Sequence, residues 1–203
     1  MSNGGTGGET FLERDFNQCF DQIRHYDGQI WDICKFTFTG FAAIIGVSIG
    51  LFQYSIEKYV NLIPAAIAVL IVGIILGIFM LYLGLRNRVY FVIFSRYINE
   101  HRRHFISHKP LGFENATGMF ADPSKPPYFD WRSSQLWFLN VICALNSALI
   151  AALLYFYSYC YNLSWIWYLL SFFILFAIQF YISMRYLKSR ADKSAGPALF
   201  GNN

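Results

Sequence analysis

The chain has 203 residues with a net charge of +4; 56% of them are hydrophobic, 20% aromatic and only 14% charged. Soluble domains carry about a quarter charged residues, so this balance argues against a soluble enzyme or binding domain. The four cysteines form no Cys-x-x-Cys pair, and we expect neither a zinc or redox site nor any other cofactor.

The first part of the chain predicts a glycine-rich disordered tail over 1–9 and an amphipathic helix over 10–34, starting at the capping box Thr10-Phe-Leu-Glu13. Apolar residues recur in this helix at alternating steps of four and three, as in a heptad seam. The seam consists of Leu12, Phe16, Cys19, Ile23, Tyr26, Ile30 and Ile33. Such a face needs a partner: a helix of the same chain, a second subunit or the lipid surface. The first 35 residues hold six acids against three bases, which disfavours an anionic lipid surface.

Three long stretches contain no charged residue, and they predict an all-α membrane protein with four transmembrane helices in two hairpins. Stretches of 21, 27 and 52 residues lie between Lys35 and Glu57, Lys58 and Arg86, and Arg132 and Arg185. Because one span needs about 20 helical residues, the third stretch must hold two. The predicted spans are 36–56, 62–85, 136–157 and 164–184.

The distribution of basic residues predicts the orientation. Fifteen of the sixteen Lys and Arg residues lie in the N-terminal segment, the central segment and the C-terminal tail, and only Lys58 lies in a short turn. By the positive-inside rule, both termini and the central segment are cytoplasmic. We therefore expect an integral protein of the bacterial cytoplasmic (inner) membrane, with the lipid bilayer as its first partner.

The second span is predicted to continue into the cytoplasm as a helical extension over 86–108. A helix over 62–108 is about 70 Å long, and its apolar part at 89–94 offers a groove for the seam. The segment 109–132 is rich in Gly, Pro and aromatic residues, which predicts an ordered loop at the membrane interface. A basic cytoplasmic tail follows over 185–203.

Small residues recur at steps of four within the predicted spans, and this spacing lets helix backbones approach closely. They are Ala42, Gly46 and Gly50 in the first span and Gly73 and Gly77 in the second. Two interpretations stay open: packing within one chain and association of subunits.

The predicted spans contain amides but no ionisable side chain, which argues against proton-coupled transport. The amides are Gln53, Asn140, Asn146 and Gln179. They can line a passive pore only if several subunits surround it.

Three of the four histidines lie within eight residues, at His101, His104 and His108, on one face of the predicted helix. One alternative is a metal site built from these three. A second rests on the spacings Arg96-x4-His101 and Arg103-x4-His108, which resemble the Arg-x4–6-His motif of HEPN-type ribonucleases; that resemblance implies catalytic Arg96, His101, Arg103 and His108. A third is a pH response. We interpret the stretch as a solvated basic helix end and expect no nucleic acid partner.

In outline, an N-terminal helix followed by close-packed spans resembles small membrane effectors of bacterial conflict systems, such as SLATT-type proteins. The sequence therefore predicts a non-enzymatic, oligomeric membrane protein that receives a cytoplasmic partner or signal and alters membrane permeability. The alternatives are a passive scaffold or accessory subunit of another membrane protein, and a membrane-anchored ribonuclease of the HEPN type.

Overall fold

The computed structural model describes residues 5–107, 114–118, 120–158 and 164–194, and these residues form four helices and no strand. Each helix is long and apolar enough to cross a membrane, which indicates an integral membrane protein. The helices are α1 (Gly5–Lys58), α2 (Ile63–Ser107), α3 (Ser134–Ser158) and α4 (Trp165–Ser194).

Helix α1 is a single helix of 54 residues, about 81 Å long, with no break at Lys35 between the predicted amphipathic helix and the first span. It begins at Gly5, five residues before the predicted start at Thr10. The sequence explains the continuity, because no proline occurs before Pro64 and the buried stripe keeps its spacing. The stripe runs through Cys19, Ile30, Cys34, Thr37, Phe41, Ser48, Phe52 and Ser55.

Helices α1 and α2 pack along each other in opposite directions. Near one end, the Tyr97 hydroxyl of α2 lies 2.8 Å from a carboxylate oxygen of Asp15 in α1. Near the other end, the Ser55 hydroxyl accepts a hydrogen bond of 3.1 Å from the backbone N–H of Leu62. Helix α1 therefore packs on a helix of its own chain. We call the charged part of this pair, formed by 13–33 of α1 and 86–107 of α2, the polar end.

Two glycines of α2 allow close packing inside the bundle. A Cβ atom at Gly77 would lie 2.7 Å from the Phe41 ring and would also overlap the Asn146 side chain. A Cβ at Gly73 would lie 2.8 Å from Ile44. Both glycines are buried, so α1 and α3 approach the backbone of α2 at these points.

Helix α3 occupies the middle of the bundle, and α4 lies at its periphery. The α3 side chains of Leu139, Ile142 and Leu149 are at most 2% exposed. Most of α4 is exposed in this single chain, apart from residues such as Leu187 on the side that packs inward. An exposed apolar helix surface of this extent is what lipid contact requires.

Candidate functional site

The loop that leads into α3 contains Pro126-Pro127, two residues without a backbone N–H, and their carbonyl groups bind side chains of α2. Arg96 Nε donates to the Pro126 carbonyl over 3.1 Å. Arg88 Nη2 donates to the Pro127 carbonyl over 2.9 Å, and Arg88 Nε donates to the Tyr128 carbonyl over 3.2 Å. Because carbonyl groups that are partly or fully buried need donors, these contacts satisfy a segment that cannot join regular secondary structure.

Asn99 extends the same set of contacts by one further turn of α2. Its Nδ2 donates to the carbonyl oxygens of Lys125, at 2.8 Å, and Asp122, at 3.1 Å. Four consecutive carbonyl groups, from Lys125 to Tyr128, are thus bound by α2. We call Arg88, Arg96 and Asn99 the loop clamp.

Side-chain contacts reinforce the loop clamp on both sides. The Arg96 guanidinium lies 4.7 Å from the ring centre of Tyr128, whose side chain is buried. Upstream, hydrogen bonds from the Ser124 hydroxyl and backbone N–H lower the pKa of the Asp122 carboxyl. The loop is therefore held both by its main chain and by a local turn.

Arg88 also connects the loop to α3 directly and to α1 through Gln135. Its Nη1 donates to Gln135 Oε1 of α3 over 3.2 Å, and Gln135 Nε2 donates to Asp27 Oδ1 of α1 over 3.3 Å. Next to it, Asn87 Nδ2 donates to Gln29 Oε1 of α1 over 3.0 Å. Arg88 is only 2% exposed, so the hydrogen-bond acceptors in the loop and on Gln135, rather than water, stabilise its positive charge.

At the tip of the polar end, Asp15 of α1 binds two aromatic side chains of α2. Its Oδ2 accepts the Tyr97 hydroxyl proton at 2.8 Å and lies 3.4 Å from Nε2 of His101. The hydrogen bond to Asp15, together with burial, raises the pKa of Tyr97 to about 12. The Tyr97 hydroxyl therefore remains a donor to Asp15 throughout the physiological pH range.

An open cleft of about 480 Å³, which we call the tip cleft, lies at this tip of the polar end. It is lined by Glu13, Phe16, Arg102, Phe105 and Ile106. The Arg102 guanidinium lies 5.7 Å from the ring centre of Phe16 in α1 and 5.4 Å from that of Phe120 in the loop. Apolar side chains and one charge of each sign make the cleft suitable for an amphipathic peptide or helix.

Of the four residues of the ribonuclease alternative, the structure describes Arg96, His101 and Arg103. Arg96 belongs to the loop clamp, and the His101 side chain is 9% exposed and faces Asp15. Arg103 is exposed, and His108 lies outside the described residues.

Of the three histidines of the metal alternative, His101 is buried and lies 3.4 Å from Asp15 of α1, whereas His104 is exposed. His108, the third member, is not described. Within the described part of the chain, no group of three or more His, Cys, Asp or Glu side chains is placed to hold a metal ion.

Of the predicted seam residues, Phe16 and Tyr26 contact side chains of α2. Ile30 is 1% exposed, and Phe16 and Ile23 are partly buried. Tyr26 stacks on Tyr90 and on Phe94, each with ring centres 5.6 Å apart. These contacts use the apolar segment that follows Arg88, and the side chain of Leu12 is outside the described ones.

The small residues divide into two groups. Gly73 and Gly77 pack inside the bundle, whereas Ala42, Gly46 and Gly50 are exposed on the outer side of α1. A Cβ atom at Gly46 or Gly50 would meet nothing within 4 Å. Packing within the chain thus accounts for the first group only.

The four amide side chains of the predicted spans also fall into two groups. Asn146 Nδ2 donates to Gln179 Oε1 over 3.2 Å, and Gln179 Nε2 donates to the Ser147 hydroxyl over 3.0 Å, which joins α3 to α4. Gln53 is exposed on α1 and Asn140 is half-buried on α3. Two of the four amides therefore fasten helices together within one chain.

Sequence reasoning did not single out Arg88, Asn99, Asp15 or Gln135. A signal for Arg88 was present, because it continues the small and apolar stripe of α2. That stripe consists of Gly73, Gly77, Leu81, Gly84 and Arg88. No comparable pattern marks the partners of the loop, which lie 23 to 40 residues away along the chain.

Fold and site together define a class: a four-helix integral membrane protein with an extended polar helix pair that holds a proline-containing loop. No protein-family model matches the chain, and comparisons with curated proteins and with solved structures find no match either. The proposed function therefore rests on the geometry of this chain.

Proposed function

We propose that the chain is a non-enzymatic, homo-oligomeric protein of a bacterial inner membrane that receives a cytoplasmic partner or signal at its polar end and alters membrane permeability. In this arrangement the helices form two hairpins with cytoplasmic termini. The polar end, including the extension of α2 past Arg86, projects into the cytoplasm. The support is the positive-inside rule, since fifteen of sixteen basic residues fall on that side.

The observation that carries the proposal is the continuity of α1. It extends from the tip cleft to Lys58 as one helix, with one buried stripe along α2. The loop clamp and the contact between Gln135 and Asp27 attach the same pair to α3. A force applied at the tip therefore reaches the apolar segments through rigid, packed helices rather than through a flexible linker.

The partner site within this proposal is the tip cleft, whose lining combines Phe16, Phe105 and Ile106 with the charges of Glu13 and Arg102. An amphipathic helix of a cytoplasmic protein suits such a surface, because apolar anchors fill the cleft and charged flanks set the direction. Contact with Arg102 would reach both α1, through Phe16, and the loop, through Phe120.

Association of subunits is assigned to the outer side of α1. Ala42, Gly46 and Gly50 form an exposed strip of small residues, and among the described residues nothing lies within 4 Å of a Cβ atom built at Gly46 or Gly50. Such strips allow two transmembrane helices to approach closely in lipid. Gln53 lies on the same side of α1, where an amide can bond across an interface between subunits.

The test is to express the full chain in bacterial cells and measure both the mass of the purified assembly, by native mass spectrometry, and the uptake of a membrane-impermeant dye. Ile23→Asp/Ile30→Asp places charges in the seam, whereas Gln18→Asp/Gln22→Asp places them on the exposed side of α1. We expect only the seam variant to lose assembly and dye uptake.

A second pair of variants tests the assembly surface by making the same substitution, Ala to Leu, on two different helices. Ala42→Leu on α1 is expected to shift the assembly towards monomers, and Ala177→Leu on the exposed side of α4 is expected to leave it unchanged. A wild-type chain that is monomeric in nanodiscs contradicts the oligomer. A wild-type oligomer that leaves pure vesicles sealed favours the passive scaffold instead.

A further inference from the structure

The loop and α4 meet in an aromatic cluster that the proposed function does not use. The Trp131 indole stacks on the Phe180 ring, with centres 5.2 Å apart and planes 28° apart. The Phe129 ring meets Trp131 edge-on at 5.3 Å and Phe180 at 6.3 Å. Trp131 remains 56% exposed, so the cluster presents an indole at the surface of the bundle.

This cluster lies where α4 changes from apolar to basic. The charge-free stretch of α4 ends at Met184, and Arg185 follows it. One turn further, the Lys188 ammonium lies 5.6 Å from the ring centre of Phe129. Aromatic rings and long basic side chains at one level are characteristic of the headgroup region of a bilayer.

Exposed basic side chains lie close to the cluster along the chain. Arg132 follows Trp131 directly, and Arg185 lies one helical turn before Lys188; all three are exposed. Asp130, next to Trp131 in the chain, is half-buried and accepts the backbone N–H of Arg132 at 3.0 Å. The exposed charge therefore attracts anions.

Directly on the apolar side of these cations, α4 offers surface for hydrocarbon chains. Tyr181 and Ile182 are 52% and 59% exposed, and Ile178 is 48% exposed one turn earlier. A soluble phosphate compound would use the cations and leave this apolar surface unoccupied. A phospholipid matches both parts, with its phosphate on the cations and its acyl chains along α4.

We propose that Arg185, Lys188 and Trp131 form a binding site for the headgroup of an anionic phospholipid, between the loop and the basic C-terminal part of α4. The phosphate lies near the two basic side chains, and the indole fixes the depth of the headgroup. The site concerns the bilayer rather than a cytoplasmic partner, so it does not depend on the proposed function.

The experiment titrates the purified full chain in detergent with phosphatidylglycerol or phosphatidylcholine and counts bound lipids by native mass spectrometry. We expect phosphatidylglycerol to bind more tightly to the wild type. Arg185→Gln/Lys188→Gln should weaken phosphatidylglycerol binding about 30-fold, the effect expected for two basic side chains near an anionic surface. Its binding of phosphatidylcholine should stay unchanged.

The matched control is Lys35→Gln/Lys58→Gln, which removes the same charge at two exposed positions away from the cluster. It should bind phosphatidylglycerol like the wild type, and Lys188→Arg should as well. Equal losses in both double variants would overturn the site, because they would show attraction to net charge alone. Competition by free glycerol phosphate at equal concentration would also overturn it, in favour of a soluble ligand.

The variants must be compared in their folded form, and both substituted pairs are exposed, so unfolding is not expected. A thermal unfolding midpoint within about 2 °C of the wild type establishes this. Trp131→Ala gives an independent measurement at a position without charge, and it should weaken phosphatidylglycerol binding as well. Undiminished binding by Trp131→Ala together with undiminished binding by the double variant would refute the proposal.

Discussion

The guanidinium of Arg88 donates to the carbonyl oxygen of Pro127 over 2.9 Å, which ties the centre of α2 to a residue 39 positions later in the chain. The side chain of Arg88 is buried, whereas Arg86, two residues before it, is exposed and contacts Tyr90. Two arginines with nearly the same position in the sequence thus have different roles: one holds the loop, and one faces the surroundings.

Arg88→Met is expected to lower the free energy of unfolding by about 3 kcal/mol, because it leaves buried carbonyl groups and Gln135 without their donor. Arg86→Met is the matched control and should change it by less than about 0.5 kcal/mol. Chemical denaturation in detergent measures both. Hydrogen exchange should also become faster over 120–133 in the Arg88 variant only; equal exchange in the two variants would contradict the role of the loop clamp.

Gly77→Ala is expected to destabilise the bundle by about 2 kcal/mol, because the new Cβ would lie 2.7 Å from the Phe41 ring and against Asn146. Gly46→Ala is the control, since nothing lies within 4 Å of its Cβ position. Unfolding midpoints in detergent distinguish the two substitutions. The close packing assigned to Gly77 is incorrect if both variants unfold at the wild-type temperature.

The ionisation of Tyr97 should report the contact between α1 and α2. Its pKa of about 12 lies above the ordinary value of 10.0, so its contribution to stability is complete below pH 10 and is lost as the pH rises through 12. Asp15→Asn should move this pKa towards 10, and Asp21→Asn, at an exposed position of α1, should not. NMR of chains with 13C-labelled tyrosine, assigned with Tyr97→Phe, measures the shift.

Asn146→Leu and Gln179→Leu should each loosen α4 from α3, and a double-mutant cycle should give a coupling energy of about 0.6 kcal/mol, typical of hydrogen bonds between membrane helices. Gln53→Leu combined with Asn146→Leu is the control pair and should show additive effects, because Gln53 is exposed on α1. A coupling energy near zero for Asn146 and Gln179 would contradict the bond between their amides.

The charge-free stretches made the four apolar helices predictable, because the thickness of a bilayer sets a length that sequence can be compared with directly. The seam at Ile23 and Ile30 was likewise visible, since helical periodicity is local. The continuity of α1 through Lys35 was not predicted. A single lysine separates the predicted amphipathic helix from the first span, but a charged side chain does not interrupt the backbone hydrogen bonds of a helix.

The loop clamp escaped sequence reasoning for a different reason. Pro126 and Pro127 indicate that two carbonyl groups need donors from elsewhere, but they do not indicate which donors. From the sequence alone, Arg96 fits two interpretations, as half of a catalytic pair with His101 and as a donor to the loop; its contact with the Pro126 carbonyl is visible only in the structure. Contacts that join distant positions depend on how the helices pack, which no local pattern encodes.

Because Arg88, Arg96 and Asn99 bind main-chain carbonyl groups, they recognise the path of the loop and not the identity of most residues in it. An exposed position such as Lys125 can therefore change while the backbone stays in place. Related chains with the same three α2 residues would present different surfaces on one frame, so that specificity for a partner can diverge without a change of architecture.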